Sequence, residues 1–176
     1  MRYKTIIFGL LLLILQSGCQ RDKKRNSARN ISETQKALVK INKALVAEDR
    51  NLIEGYIKRH KLDSMKENGS GLYYMIWGEP KDSIIKTGNI VEYHYKITLL
   101  DGTICYQSEA SNPKQFKVGQ GGVESGLEQA VLLMCPGQKG KFILPPHLAY
   151  GLLGDEKMIP SRSIIVYDIE MLNVLR

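Results

Sequence analysis

The sequence is poor in the side chains that carry most nucleophilic and metal chemistry. It has three histidines and three cysteines in 176 residues, and His60, His94 and His147 lie too far apart along the chain to indicate a metal site. No Ser/His/Asp set or Cys/His pair stands out. The glycines of Gly119–Gly122 are not followed by the Lys-Ser/Thr pair of a phosphate-binding loop. We therefore expect neither a metal nor a cofactor.

The N-terminal apolar run is also short. Ile6–Leu15 has ten residues, too few to span a bilayer as a stable helix, and Arg2 and Lys4 precede it. This pattern predicts a cleaved secretory signal over residues 1–18, with an ordinary membrane anchor as the alternative. Ser17-Gly18-Cys19 resembles the end of the lipobox of bacterial lipoproteins, which implies that Cys19 is lipidated and anchors the mature chain to a membrane.

Positive charge concentrates just after this segment. The whole chain carries a net charge of +7, and residues 21–29 contribute five basic side chains. The polar composition of residues 19–30 predicts a flexible tether, whose charge either attracts anionic lipid head groups or is simply solvated. We expect no nucleic-acid partner for an exported chain.

Residues 31–64 have the pattern of amphipathic helices. Ser32 and Gln35 form a capping-box pair, and apolar residues then recur at helical spacing. A second such pattern begins near Glu48, so the segment is either two helices or one helix with a joint near residues 47–49. Its apolar stripe packs on the protein's own body, clamps a substrate or forms a homodimer.

Residues 65–176 are dominated by strand patterns. Leu72–Trp77 is rich in β-formers, Val91–Leu99 alternates apolar and polar residues, and Ile165–Met171 does the same. Asp101-Gly102 predicts a hairpin whose return strand, Thr103–Ser108, has Ile104 and Tyr106 inward and Cys105 outward.

One short helix accompanies these strands. Leu127, Ala130, Val131 and Met134 share one face, and Cys135-Pro136-Gly137 ends the helical pattern. The predicted fold is therefore α+β, with a curved antiparallel sheet wrapped around one short helix. Export would permit a disulfide between Cys105 and Cys135, but nothing in their spacing demands one, and two small buried side chains are the favoured alternative.

Several motifs in this half occur in an order that belongs to one known family. The segments VEYHYKITLLDGTICYQS, FKVGQGGVESGLEQAV, PGQKGKFILPP, AYG and IPSRSIIVYDIEML together resemble the FK506-binding-protein (FKBP) family of peptidyl-prolyl cis/trans isomerases. The resemblance covers residues 72–175. With the N-terminal features it is closest to envelope FKBP lipoproteins of Gram-negative bacteria, particularly the gliding-motility type of the Bacteroidetes, and implies an outer-membrane protein facing the periplasm.

The resemblance implies a prolyl pocket between helix and sheet. Its catalytic positions would be Tyr95, Tyr106, Phe116, Tyr150 and Tyr167, and its substrate-binding positions Val123, Glu124, Leu127 and Ile159. Glu124 would act through its backbone N–H, with its side chain free to face solvent. Tyr150 would donate its hydroxyl to a substrate carbonyl, and Leu127 would form the floor.

Three residues depart from the family pattern. Gln107 replaces an acid, Lys114 replaces an aromatic residue, and Asp155 stands where many relatives have histidine. Two functions follow from the resemblance. The first is an isomerase acting on proline-containing exported proteins, and the second is a non-catalytic chaperone or structural lipoprotein that binds partners with the same fold.

Overall fold

The computed structural model describes the backbone of residues 19–175 and the side chains of residues 33–175. The predicted signal over residues 1–18 and the side chain of Cys19 lie outside the described part. Contacts divide the chain into two units, Met1–Ala47 and Glu48–Arg176. In the described part of the chain, no helix has the length and apolar character needed to cross a membrane.

The first helix, α1, runs without interruption over Cys19–Arg59. Of the two alternatives for residues 31–64, two helices or one helix with a joint, the structure has a single helix, and residues 19–30, for which a flexible tether was expected, are helical as well. The reason is that residues 20–54 contain neither glycine nor proline and are rich in Lys, Arg, Gln and Ala, which form helices readily. In the first unit, Leu38, Val39 and Ile41 are each 54% exposed on this helix.

The second unit contains a seven-stranded antiparallel sheet, as expected for the predicted α+β class. Its strands are β1 (Lys66–Glu67), β2 (Tyr73–Trp77), β3 (Ile90–Leu99), β4 (Ile104–Gln107), β5 (Lys114–Lys117), β6 (Lys139–Leu144) and β7 (Ile165–Leu175). They lie in the order β1-β2-β6-β7-β3-β4, and β5 also pairs with β3. The last strand of the chain therefore lies between β6 and β3 in the sheet.

A short helix, α2 (Ser125–Val131), packs on one face of this sheet. Leu127, Ala130, Val131 and Met134 are all buried, which confirms the predicted apolar face, although the helix ends before Met134. Gly126 allows the close approach, because a Cβ there would lie 2.5 Å from a methyl carbon of Leu144. A single 3₁₀ turn, Pro146–Leu148, follows β6.

Strand β4 differs from its prediction. Tyr106 pairs with Ile97 and Ile104 pairs with Thr98, which leaves Cys105 as an extra residue at a β-bulge. A bulge breaks the two-residue alternation of a strand, so Ile104 is 52% exposed and Cys105 is buried. The prediction was wrong for these two residues. Cys105 and the half-buried Cys135 are both free thiols.

The other face of the sheet is covered by the last turns of α1. Ile53 and Tyr56 form a second buried cluster with Tyr73, Ile143 and Val166. An ion pair strengthens this contact. The guanidinium of Arg162 donates to a carboxylate oxygen of Asp49 at 2.8 Å, and the Asp49 side chain is only 9% exposed.

Candidate functional site

A cavity of about 720 Å³ opens between α2 and the sheet. Its largest group of lining residues is aromatic, and these side chains come from separate parts of the chain. The five tyrosines among its described lining residues are Tyr93, Tyr95, Tyr106, Tyr150 and Tyr167. A cavity with this much aromatic surface suits a compact apolar group.

Three elements position four of the five tyrosine rings, and the fifth, Tyr106, lies on β4. Tyr93 and Tyr95 lie two residues apart on β3 and therefore project from the same face, with ring centroids 5.9 Å apart. Tyr167 lies beside Tyr95 on neighbouring β7, at 6.0 Å between centroids. Tyr150 follows the 3₁₀ turn. Leu127, from α2, forms part of the opposite wall.

Seven of the nine residues predicted from the sequence line this cavity. They are Tyr95, Tyr106, Val123, Glu124, Leu127, Tyr150 and Tyr167. The other two, Phe116 and Ile159, stand behind the wall. Phe116 packs edge-on against Tyr93, with ring planes at 85° and centroids 5.8 Å apart, and Ile159 is 1% exposed in the core. These two residues support lining groups without lining the cavity themselves.

The side chain of Glu124 is half-buried and lines the cavity. The hydroxyl of Tyr167 donates to its carboxylate at 3.1 Å. Burial raises the pKa of Tyr167 and of Tyr150 well above the usual range for tyrosine, and the Glu124 carboxylate raises both further. Both hydroxyls therefore stay protonated and remain hydrogen-bond donors at neutral pH.

A loop over residues 151–162 forms one rim of the cavity. The carboxylate of Asp155 accepts hydrogen bonds from the Tyr106 hydroxyl and from the backbone N–H groups of Lys157 and Ile159, at 2.9 and 2.8 Å for the last two. Burial acts to raise the pKa of Asp155, but these hydrogen bonds lower it below its usual value. Asp155 thus holds the loop against β4 as a carboxylate.

Sequence reasoning missed some lining residues. Tyr93 was placed on the inward face of β3 but not at the site, although its alternation with Tyr95 was the available signal. Gln115 and Lys157 also line the mouth, and no local pattern indicates them. Lys114 lies there as well, whereas Gln107 lines a different, smaller cavity. The replacement of an acid by Gln107 therefore does not alter the lining of the tyrosine cavity.

The arrangement is suited to binding and not to covalent chemistry. Within the described residues, no group of three or more His, Cys, Asp or Glu side chains could hold a metal ion. What the cavity offers is a partly enclosed aromatic surface and tyrosine hydroxyl donors. The fold and the site together define a small α+β binding domain with a pocket between one helix and a half-wrapped sheet.

Comparisons with known proteins identify this class. Residues 81–172 match the model of the FKBP-type peptidyl-prolyl cis-trans isomerase family. The chain therefore belongs to that family, and its C-terminal part is an FKBP-type isomerase domain, which confirms the resemblance seen in the sequence.

Individual relatives agree. FK506-binding protein 2 of Yarrowia lipolytica is 40% identical over 51% of this chain and 62% of its own length, so the chain spans less than two thirds of that relative. FK506-binding protein 2 of Dictyostelium discoideum is 39% identical over 54% of this chain and 74% of its own. The crystal structure of FkpA from Escherichia coli is similar over 98% of this chain and 81% of that chain, with a TM-score of 0.64 and 27% identity.

Proposed function

We propose that this protein catalyses the cis/trans isomerisation of peptide bonds that precede proline in exported proteins. The observation that carries the proposal is the five-tyrosine cavity with Leu127 at its wall, in a domain of the isomerase family. The uncatalysed reaction takes on the order of 10 to 100 s, which is slow enough to limit folding.

The chemistry requires no nucleophile. Rotation about a prolyl bond meets a barrier of about 18 to 20 kcal/mol because the amide loses resonance when it twists. The twisted amide carries less charge on its carbonyl oxygen than the planar form, so a partly dry aromatic cavity favours it. The cavity holds the proline ring, while the Tyr150 hydroxyl and the backbone N–H of Glu124 orient the substrate carbonyls.

Glu124 adds a feature to this mechanism. Its carboxylate accepts a hydrogen bond from the Tyr167 hydroxyl and raises the pKa of Tyr150, so a substrate carbonyl in the cavity competes with a carboxylate for tyrosine donors. This competition lowers the gain from the hydrogen bond, and we expect a low but real turnover for short peptides.

The activity is tested with the purified full chain and a Leu-Pro peptide in a cis/trans turnover assay. Leu127→Asp, which places a charge in the cavity wall, should abolish turnover, and Tyr150→Phe should lower kcat/KM about tenfold by removing one donor. An inactive wild-type chain that is shown to be folded would refute the proposal for simple peptides.

We further propose that the protein is a lipid-anchored folding factor of the cell envelope, at the outer membrane facing the periplasm, acting in a process such as gliding motility or secretion. The support is the apolar run Ile6–Leu15 and the Ser17-Gly18-Cys19 sequence. Labelled palmitate should be incorporated into the wild type and not into Cys19→Ser. Equal labelling of both, or a wild-type protein that fractionates away from membranes, would contradict the proposal.

One observation favours a second function, client holding or self-association by α1. Leu38, Val39 and Ile41 are half exposed along the part of α1 in the first unit. Replacing Leu38 and Ile41 with serine should lower suppression of client aggregation, or convert a dimer to a monomer in sedimentation, while peptide turnover is unchanged. If aggregation and sedimentation are both unaffected, this function is refuted.

A further inference from the structure

The rim loop carries an apolar surface that its own fold leaves uncovered. Leu152 and Leu153 are 68% and 78% exposed, more than any other large apolar residue in the described part of the chain, and Met158 is 50% exposed. We call these three residues the apolar shelf. Large apolar side chains gathered at one exposed place commonly mark an interaction site.

The backbone of the rim loop that carries the shelf is held by hydrogen bonds. The backbone N–H of Arg162 donates to the carbonyl of Gly151 at 3.1 Å and closes the base of the loop. The backbone N–H of Asp155 donates to the carbonyl of Ile159 at 3.1 Å across it. The Tyr106 hydroxyl ties the Asp155 carboxylate to β4. Because the backbone is fixed, little conformational entropy is lost when a ligand binds to the shelf.

The underside of the same loop is already held by the core. The thiol of Cys105 lies 3.6 Å from the carbonyl oxygen of Met158, so the bulge in β4 contacts the backbone beneath the shelf. The loop cannot turn inward to bury its leucines without breaking these contacts. Their exposure is therefore a property of the fixed loop conformation.

The shelf is continuous with the proposed prolyl site. Tyr150 immediately precedes the loop, and Asp155 and Lys157 within it line the cavity. A polypeptide whose proline occupies the cavity has neighbouring residues that run out past this rim. The continuity identifies the occupant as the client chain itself, because a ligand of the cavity is already held next to the shelf.

We propose that the apolar shelf is a secondary subsite that binds an apolar side chain of an unfolded client near the proline in the cavity. The inference rests on the proposed isomerase function and deepens it. The preferred substrates are segments of unfolded protein in which an apolar residue lies a few positions from the proline. Short peptides that lack this residue gain nothing from the shelf.

The test compares two substrates with the full chain. One is a proline-containing tetrapeptide, and the other is a carboxymethylated protein whose refolding is limited by one prolyl bond. The double variant Leu152→Ser/Leu153→Ser should lower the ratio of kcat/KM on the protein to kcat/KM on the peptide about tenfold, from the lost apolar contact. The matched control is Ile84→Ser, which removes a 49% exposed apolar residue outside the cavity and should leave the ratio unchanged.

Binding provides a readout that does not need turnover. Fluorescently labelled, carboxymethylated α-lactalbumin should bind the double variant about tenfold more weakly than the wild type or Ile84→Ser. The proposed subsite would be overturned if the double variant had the same kcat/KM ratio and the same client affinity as the wild type. It would also be overturned if Ile84→Ser lowered both by as much as the double variant does. The proposed subsite would also be overturned if the double variant bound vesicles of anionic phospholipid more weakly than the wild type but bound the client equally well. That result would assign the two leucines to a membrane surface. A wild-type chain that binds the client but turns over neither substrate would refute the isomerase alone.

Discussion

The ion pair between Asp49 and Arg162 gives the sharpest stability prediction. The two side chains are 9% and 30% exposed, and a 2.8 Å hydrogen bond joins them. Exposed pairs contribute about 0 to 1 kcal/mol, whereas breaking a buried pair costs about 3 to 5 kcal/mol because a charge is left buried. This pair is intermediate, so Arg162→Ala should lower the free energy of unfolding by about 2 to 3 kcal/mol.

The prediction is asymmetric. Removing Arg162 leaves the buried Asp49 carboxylate without its partner, whereas removing Asp49 leaves a guanidinium that is partly solvated and has Glu48 at 3.9 Å. Asp49→Ala should therefore cost less, about 1 to 1.5 kcal/mol. The double variant should be less destabilised than the sum of the single variants, with a coupling free energy of about 1 kcal/mol.

The backbone at Arg162 supplies an internal control. Its φ is 56°, in the left-handed region that glycine adopts without strain. Arg162→Gly should therefore be about 1 kcal/mol less destabilising than Arg162→Ala, although both remove the same charge. Urea unfolding of the four variants measures these values. A coupling free energy below about 0.5 kcal/mol, or a glycine variant less stable than the alanine variant, would refute the reasoning.

Three further predictions concern the site and its loop. Gly154→Ala should destabilise the fold by about 2 to 4 kcal/mol in urea unfolding, because its φ is 77° and the new Cβ would lie 2.2 Å from a backbone carbonyl oxygen. The Cys105 thiol, whose pKa is raised by burial and then by nearby carboxylates, should react slowly with a thiol reagent at pH 8 and rapidly in urea. A fast reaction in the folded protein would contradict its position. Burial and then Glu124 raise the pKa of Tyr150 and Tyr167, so above about pH 10 the unfolded chain releases protons that the folded chain keeps. The urea midpoint should therefore fall between pH 9 and pH 11, and a constant midpoint would argue against their burial.

Strands of the sheet were predictable where the alternation of buried and exposed side chains alone decided the sequence pattern. Val91–Leu99 alternates because one face of β3 packs on α2, and the pattern is visible in the sequence itself. Ile104 and Cys105 could not be placed the same way, since the bulge that shifts them depends on pairing with β3 and not on local composition.

Motif matching predicted the site residues whose place in the fold is the same throughout the family. Matching identified seven cavity residues, because the family places each at a fixed point of the fold. It did not indicate what the Glu124 side chain does. That depends on the hydroxyl of Tyr167, which lies 43 positions further along the chain. Phe116 and Ile159 lie one layer deeper than predicted, behind the cavity wall, because motif matching does not measure depth.

The position of β7 has a consequence for the time at which the protein can fold. This strand follows β1 to β6 along the chain, yet it lies between β6 and β3 and joins the two halves of the sheet. Until β7 has emerged from the ribosome, β3 and β6 have no common neighbour, and Val166 is missing from the cluster that holds the last turns of α1. The sheet of this domain therefore cannot close before β7 is available to pair with both strands.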